Sequence, residues 1–198
     1  MNKVLVTGAT GYVGGRLVRA LLENNYQVRV LVRDPKKVKQ YSWANSVEAQ
    51  VGNATDFDST FAALKDIDIA YYFLHSINSS TKFDEIEREM ARTFGMAAAK
   101  AGVKQIVYLG GIANDSKKSR HLQSRADTGV ELAKYGVPVL ELRAGIIIGS
   151  GSASFEMLRH LTHRLPIMTT PKWVKNRTQP IAIRDVLYYL QQTAKLEK

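Results

Sequence analysis

Short apolar runs alternate with longer amphipathic segments along most of the chain. Each run is rich in Val, Ile, Leu and Tyr, and it is bounded by Gly, Asn, Asp or Pro. A short, fully apolar run is typical of a strand that is buried on both faces of a parallel sheet. We predict strands at residues 3–7, 28–32, 47–51, 69–74, 106–109 and 137–142.

Between these runs, apolar residues recur at helical spacing. Val13, Leu17 and Leu21 share one helical face, and Ile86, Met90 and Phe94 mark another. We predict helices at 13–24, 56–65, 86–101, 122–133, 155–164 and 184–194, and a loop at 166–179. This alternation predicts an α/β protein, a doubly wound parallel sheet with helices on both faces.

Composition bounds the protein class. The chain has 198 residues, of which 45% are hydrophobic and 23% are charged, so we expect a single domain over 1–198. The absence of cysteine excludes disulfides, thiolate metal sites and cysteine nucleophiles. No apolar run approaches the roughly 20 residues of a membrane span. We expect a cytoplasmic protein, monomeric or homodimeric.

The net charge of +10 favours anionic partners, which include nucleotides, nucleic acid, membrane surfaces and acidic substrates; the alternative is that the charge clusters are solvated faces. No nucleic-acid recognition motif accompanies the charge, so we expect a small-molecule partner and no specific nucleic acid. His160 and His163 are three residues apart, but Arg159 and Arg164 flank them and no third ligand is evident, so we expect no metal site.

Three glycines stand at the turn between the first strand and the first helix. Gly8, Gly11 and Gly14 lie in VTGATGYVGG, directly after the strand. A tight turn needs a residue without Cβ, and a pyrophosphate on a helix N-terminus needs a close backbone. The context predicts a dinucleotide-binding turn.

TGATGYVG resembles the glycine motif of the short-chain dehydrogenase/reductase superfamily in its extended and atypical branches. The resemblance implies a Rossmann-type sheet in the order 3-2-1-4-5-6, with room for a short seventh strand. It also implies that the backbones of Thr10, Gly11, Tyr12 and Val13 contact the cofactor phosphates.

The end of the second strand selects the cofactor. An acidic residue there would favour NAD, whereas Arg33 suits the 2′-phosphate of NADP. We expect NADP(H) to be preferred and NAD(H) to be accepted, with Lys36 or Lys37 assisting; an inward turn of Asp34 would reverse the preference. The other residues expected to line the cofactor cleft are Asn53, Leu74, His75, Leu109, Gly110 and Arg125.

The catalytic residues of active superfamily members are substituted. The fifth strand ends in YLGGI without the usual serine, and SRHLQSRADTGVEL places His121 and Arg125 where the resemblance puts the Tyr and Lys of Tyr-x-x-x-Lys. Two alternatives remain. His121 acts as acid or base near neutral pH while Arg125 clasps the cofactor, or His121 is a polar surface residue at a helix start.

The segment from Leu140 to Leu190 carries a closer resemblance. LRAGIIIGSGS and PIAIRDV, with YYFLHS at the fourth strand and HLxxR, are similar to a bacterial NAD(P)H-binding group that is NmrA-like or epimerase-like. Residues 144–198 would then form a small substrate-side portion. Its expected substrate contacts, with Met157 and the rim 150–154, are Gly111, Ser150, Phe155, Trp173 and Arg177.

Three functions follow from these observations. The first is an atypical NADP-preferring oxidoreductase acting on a small quinone-like or aromatic substrate, because hydride transfer needs only a nicotinamide held against an electrophile. The second is a non-catalytic NADP(H) sensor, as in the NmrA type, because Ser and Tyr-x-x-x-Lys are missing. The third is a nucleotide-sugar epimerase or dehydratase, which ranks lower because that chemistry uses the tyrosine.

Overall fold

The computed structural model describes residues 2–75, 83–112, 120–164 and 179–196. The chain forms β1 (Lys3–Thr7), α1 (Tyr12–Glu23), β2 (Gln27–Val32), β3 (Glu48–Val51), α2 (Phe57–Leu64), β4 (Ile69–Tyr72), α3 (Phe83–Ala101), β5 (Gln105–Gly111), α4 (Arg120–Leu132), β6 (Val139–Ala144), β7 (Ile147–Ile148), α5 (Ala153–Arg164), β8 (Ile181–Ala182) and α6 (Ile183–Thr193). A 3-10 helix, Pro35–Gln40, follows β2. The predicted loop at 166–179 lies, except for Gln179, outside the described residues.

The main sheet is parallel, with strand order β3-β2-β1-β4-β5-β6. This confirms the doubly wound sheet and the predicted order 3-2-1-4-5-6. The order reverses between β1 and β4, and in such sheets a crevice opens at the carboxyl ends of the strands at this point. The short extra strand is present as a pair: β7 and β8 form a separate two-stranded sheet.

Two apolar cores, one on each face, hold the helices to the sheet. Val4 and Val6 of β1 pack with the buried faces of α1 and α6, whereas Leu5 between them packs with α2 and α3. This alternation follows the pleat of the strand, in which successive side chains point to opposite faces. The apolar character of the strands therefore places helices on both faces, as predicted.

A buried tyrosine fixes α6 beneath the sheet. The Tyr71 hydroxyl donates a hydrogen bond to the Leu190 carbonyl oxygen at 3.0 Å. Burial raises the pKa of Tyr71 to about 12, so the hydroxyl stays protonated and remains a donor. Across the described residues, no helix combines the length and the apolar content needed to cross a membrane.

Candidate functional site

The glycine loop connects β1 to α1 in a turn that only glycine fits. Gly8 has a φ of +64°, and a Cβ at this position would lie 2.5 Å from the Phe73 carbonyl oxygen. A Cβ on Gly14 would lie 2.8 Å from the Gly8 carbonyl carbon and 3.0 Å from the Ala9 Cα. These neighbours are backbone atoms, so they cannot move aside without displacing the loop or the helix. The predicted tight turn is present.

The loop leaves backbone donors free at the start of α1. Gly11 is the N-cap and offers no side-chain cap, and its own N–H donates to the Gly8 carbonyl at 2.9 Å. The first bond of the helix runs from the Gly15 N–H to the Gly11 carbonyl at 3.0 Å, so the amides of Tyr12, Val13 and Gly14 lack partners within the helix. No acidic residue occupies the first turn. This cradle of free donors fits a pyrophosphate.

At the end of β2, the two charged residues have different roles. Asp34 caps the following 3-10 helix, where its Oδ1 accepts from the Lys36 N–H at 2.9 Å. Arg33 is exposed, and no residue of the described segments forms a hydrogen bond or ion pair with it. Asp34 is thus committed to the backbone, and the guanidinium of Arg33 is available to a ligand. The inward turn of Asp34 that would favour NAD is not present.

Asn53, after β3, is held by its backbone. Its carbonyl oxygen accepts from the Asp56 N–H at 2.9 Å and from the Ser59 hydroxyl at 3.0 Å. Its side-chain oxygen accepts from the Thr55 N–H at 3.3 Å. The side chain is exposed, and its amide nitrogen can still donate to a ligand.

The structure brings together residues from the ends of β4 and β5 and from α4. Leu74 and His75 follow β4, and both are half-buried. Burial, and to a smaller extent the charge of Arg125, lower the pKa of His75 to about 4, so the imidazole is neutral at pH 7. Arg125 also lies beside β5, because a Cβ on Gly111 would be 3.5 Å from its Cδ. His75, Arg125 and Gly111 therefore form one cluster.

Neighbouring side chains occupy the space beside the two glycines at the end of β5. A Cβ on Gly111 would lie 2.8 Å from the Leu122 Cδ2. A Cβ on Gly110 would meet the carboxylate of Glu141, which is held by Arg143 at 2.9 Å. A serine at Gly110 or Gly111 would therefore require the side chain of Glu141 or Leu122 to shift. Leu109, one residue earlier, is buried in the core.

His121 lies at the rim of this cluster. It is exposed in the first turn of α4, and its ring stacks on Phe83 at 4.8 Å between centroids and an interplanar angle of 28°. Phe83 begins α3, so the stacking joins the starts of two helices. Arg125 follows one helical turn after His121 and is more buried.

The remaining predicted residues lie beyond β7. Ser150 is exposed, and its carbonyl oxygen accepts from the Arg16 Nη2 at 2.9 Å, which places it beside α1. Phe155 is half-buried on α5 and Met157 is exposed. Trp173, Arg177 and the side chain of Ser154 lie outside the described residues. Within the described segments, no group of three His, Asp or Glu residues is placed to hold a metal.

The sequence model of the NAD(P)H-binding domain matches residues 8–135, which is more than half of the chain and includes the glycine loop. The chain belongs to the NAD(P)H-binding family. The match confirms the NAD(P)H-binding domain that the glycine motif predicts, and the sheet order agrees with the expected Rossmann-type fold.

A curated relative of this NAD(P)H-binding chain is a ceramide reductase from Caulobacter vibrioides, 28% identical over 169 residues, with 83% of this chain and 52% of that protein covered. The chain spans about a third to a half of the length of the first curated relatives it matches.

Two solved structures show the same fold. One is Pen from Bacillus thuringiensis (TM-score 0.80, 17% identity, 100% of this chain and 66% of that chain). The other is an NADPH-dependent quinone oxidoreductase from Escherichia coli complexed with NADPH (TM-score 0.65, 23% identity, 81% and 54%).

Beside the glycine loop of this NAD(P)H-binding domain lies a cavity of about 450 Å³ that sequence reasoning missed. Its walls include Arg16 and Arg19 of α1, and Tyr41, whose hydroxyl donates to the Thr10 carbonyl oxygen at 2.8 Å. Arg16 follows Tyr12 by one helical turn, so its position next to the loop could have been found from spacing. No local signal points to Tyr41.

We expect Arg125→Ala to raise the pKa of His75 from about 4. The replacement removes a positive charge that disfavours protonation, but burial is the larger cause, so the pKa should remain below the ordinary value of 6.5. Histidine NMR titration measures this. The unfolded chain binds a proton at His75 more tightly than the folded chain does. The stability that the neutral His75 contributes to the fold is therefore complete above pH 6.5 and is lost as the pH falls through about 4.

Arg88→Ala is the matched control for this titration. Arg88 pairs with Asp127 at 3.4 Å, and its removal should leave the pKa of His75 unchanged. An unchanged pKa in Arg125→Ala would contradict the placement of Arg125 beside the imidazole.

Proposed function

We propose that this chain is an NADP(H)-preferring oxidoreductase that reduces a small, quinone-like or aromatic substrate. The observation that carries the proposal is the contrast between an available Arg33 and an Asp34 engaged as a helix cap. A guanidinium binds a phosphate through charge-assisted, bidentate hydrogen bonds. NAD(H) lacks the 2′-phosphate but shares the pyrophosphate, so we infer that it binds more weakly in the same cradle.

Different residues of the site would bind different parts of the cofactor. The loop from Gly8 to Gly14, with Thr10 and the amides of Gly11, Tyr12 and Val13, would hold the pyrophosphate. Arg33 would hold the 2′-phosphate, and the free amide of Asn53 would donate to the adenine side. The residues that would line the cleft beyond these are Leu74, His75, Leu109, Gly110 and Arg125.

Bound there, the reduced nicotinamide supplies a hydride, and a quinone-like acceptor takes it together with one proton. Arg125 presents a permanent positive charge beside Gly111, which would stabilise negative charge on the acceptor oxygen. His75 is neutral, so it can donate one hydrogen bond without adding charge. Gly111, Ser150 and Phe155, with Trp173 and Arg177, would surround the substrate.

We propose that His121 delivers the proton, since it lies at the rim of the cluster and an imidazole can serve as a general acid. His121→Ala should lower the turnover of NADPH with a quinone about 100-fold, within the usual range for removal of a general acid, and should leave the NADPH affinity within about threefold. Stopped-flow absorbance of NADPH with a panel of quinones measures turnover, and calorimetry measures affinity.

His160→Ala is the control, because His160 is also exposed on a helix but lies on α5. It should not affect either quantity. If His121→Ala turns over NADPH as fast as the wild type, His121 is not the proton donor. The reductase proposal is tested separately, by whether the wild-type protein turns over NADPH with any quinone.

A second candidate is a non-catalytic NADP(H) sensor. The lack of the usual serine at Gly110 and Gly111, where the side chains of Glu141 and Leu122 occupy the adjoining space, favours it. Tight NADPH binding without turnover of any quinone in the panel would select the sensor over the reductase.

A further inference from the structure

The side chain of Arg16 joins two parts of the molecule that are far apart in sequence. Its Nη1 donates to the Tyr12 carbonyl oxygen at 3.1 Å, and its guanidinium carbon lies 4.0 Å from the centre of the Tyr12 ring. Its Nη2 donates to the Ser150 carbonyl oxygen at 2.9 Å. One guanidinium thus holds the first residue of α1 and the turn that precedes α5.

That turn, residues 149–152, is held by its own hydrogen bonds. The Ser152 N–H donates to the Gly149 carbonyl at 3.0 Å, and its hydroxyl donates to the Ile147 carbonyl at 2.8 Å. The Glu156 carboxylate accepts from the Gly151 N–H at 3.1 Å. These bonds tie the turn to the first turn of α5.

The turn also packs directly on Tyr12. The Tyr12 hydroxyl is buried and has no hydrogen-bond partner among the described residues. A Cβ on Gly149 would lie 2.6 Å from this hydroxyl and 2.6 Å from the Ile183 Cγ2 of α6. Glycine at 149 therefore allows the ring of Tyr12, the turn and α6 to meet. A displacement of Tyr12 would therefore displace Gly149 by direct contact and Ser150 through Arg16.

We propose that Arg16 is a positioning residue that couples the glycine loop to α5. The inference rests on the proposed function, in which the Tyr12 amide contacts the cofactor pyrophosphate. A cofactor bound to the Tyr12 amide would restrain the Tyr12 backbone, including the carbonyl that accepts from Arg16. Because Arg16 also donates to Ser150, the 149–152 turn would be restrained as well. The planar guanidinium suits the task because it donates to two carbonyls at once while its face lies on the ring.

Hydrogen exchange of the Ser152 and Glu156 amides, with and without saturating NADPH, tests the coupling. In the wild type, NADPH should slow both amides. In Arg16→Ala, the cofactor-free amides should exchange about fivefold faster, as loss of one hydrogen bond implies, and NADPH should no longer slow them. The NADPH affinity should remain within about threefold, because the backbone donors of the cradle are intact.

Two further variants separate positioning from a general loss of structure. Arg16→Lys keeps the charge and reaches one carbonyl at a time, so it should restore part of the NADPH-dependent slowing. Arg19→Ala removes an arginine one turn further along α1, which pairs with Glu23 at 2.9 Å, and should behave as the wild type. Wild-type slowing by NADPH in Arg16→Ala would overturn the coupling.

The failure of the proposed function would be seen separately. If the wild type binds no NADPH, the function is wrong, and the cofactor-free rates alone decide whether Arg16 holds the turn. Faster exchange of the two amides in Arg16→Ala than in Arg19→Ala would then support the role of Arg16 in holding the turn to α1. Equal exchange rates in the two variants would contradict that role.

Discussion

Gly14→Ala is expected to weaken NADPH binding at least about 100-fold, which corresponds to roughly 2.7 kcal/mol. The added Cβ would lie 2.8 Å from the Gly8 carbonyl carbon and closer still to its oxygen. Both atoms belong to the backbone of the loop, so relief requires the loop and the start of α1 to separate. The donors of the cradle then lose their common orientation. Calorimetric titration with NADPH measures the loss.

Gly102→Ala is the matched control. Gly102 has a φ of +74°, but a Cβ there meets no atom within 4 Å. It should lower the free energy of unfolding by about 1 kcal/mol through backbone strain alone and should leave NADPH binding unchanged. A Gly14→Ala protein that is folded and binds NADPH within about threefold of the wild type would contradict the proposed cradle.

Arg33→Asp is expected to weaken NADPH binding about 100-fold and NADH binding no more than about threefold. The change replaces a partner of the 2′-phosphate with a like charge, and NADH carries no such phosphate. An acidic residue at this position can also accept from the ribose 2′-hydroxyl. The ratio of the two dissociation constants, measured by calorimetry at fixed ionic strength, reports the preference.

Lys195→Asp makes the same change in net charge at the opposite end of α1. Lys195 lies beside Asn24 and Asn25, where α1 ends, whereas the glycine loop lies where α1 begins. This variant should weaken the binding of either cofactor only slightly, through the long-range field alone. Equal losses for both cofactors in Arg33→Asp would remove Arg33 as the determinant of NADP preference.

The fold could be predicted because its determinants are local. Each strand is an apolar run short enough for one crossing of a buried sheet, and each helix repeats its apolar residues at one face. Boundaries also followed from local signals: Asp56 caps α2 by accepting from the Ser59 N–H at 2.8 Å, and Gly136, with a φ of +83°, ends the segment after α4. The paired β7 and β8 are two residues each, too short for a periodic signal.

The site could be predicted only where its residues follow one another in the chain. Gly8, Gly11 and Gly14 share one turn, so their spacing was sufficient. The contact between Arg16 and Ser150 spans 134 residues, and nothing in either local stretch indicates it. The neutral state of His75 depends on burial and on Arg125 of another element, which a sequence does not display.

The sequence by itself determined the parallel sheet, its covering helices and the glycine turn, because apolar periodicity and the conformational freedom of glycine act over a few residues. The tertiary structure decided the rest. It committed Asp34 to a helix cap and left Arg33 available, filled the space beside Gly110 and Gly111, and placed Arg16 against a turn from the far end of the chain. These outcomes depend on which atoms meet once the layers have packed, and packing distances are set by the whole fold.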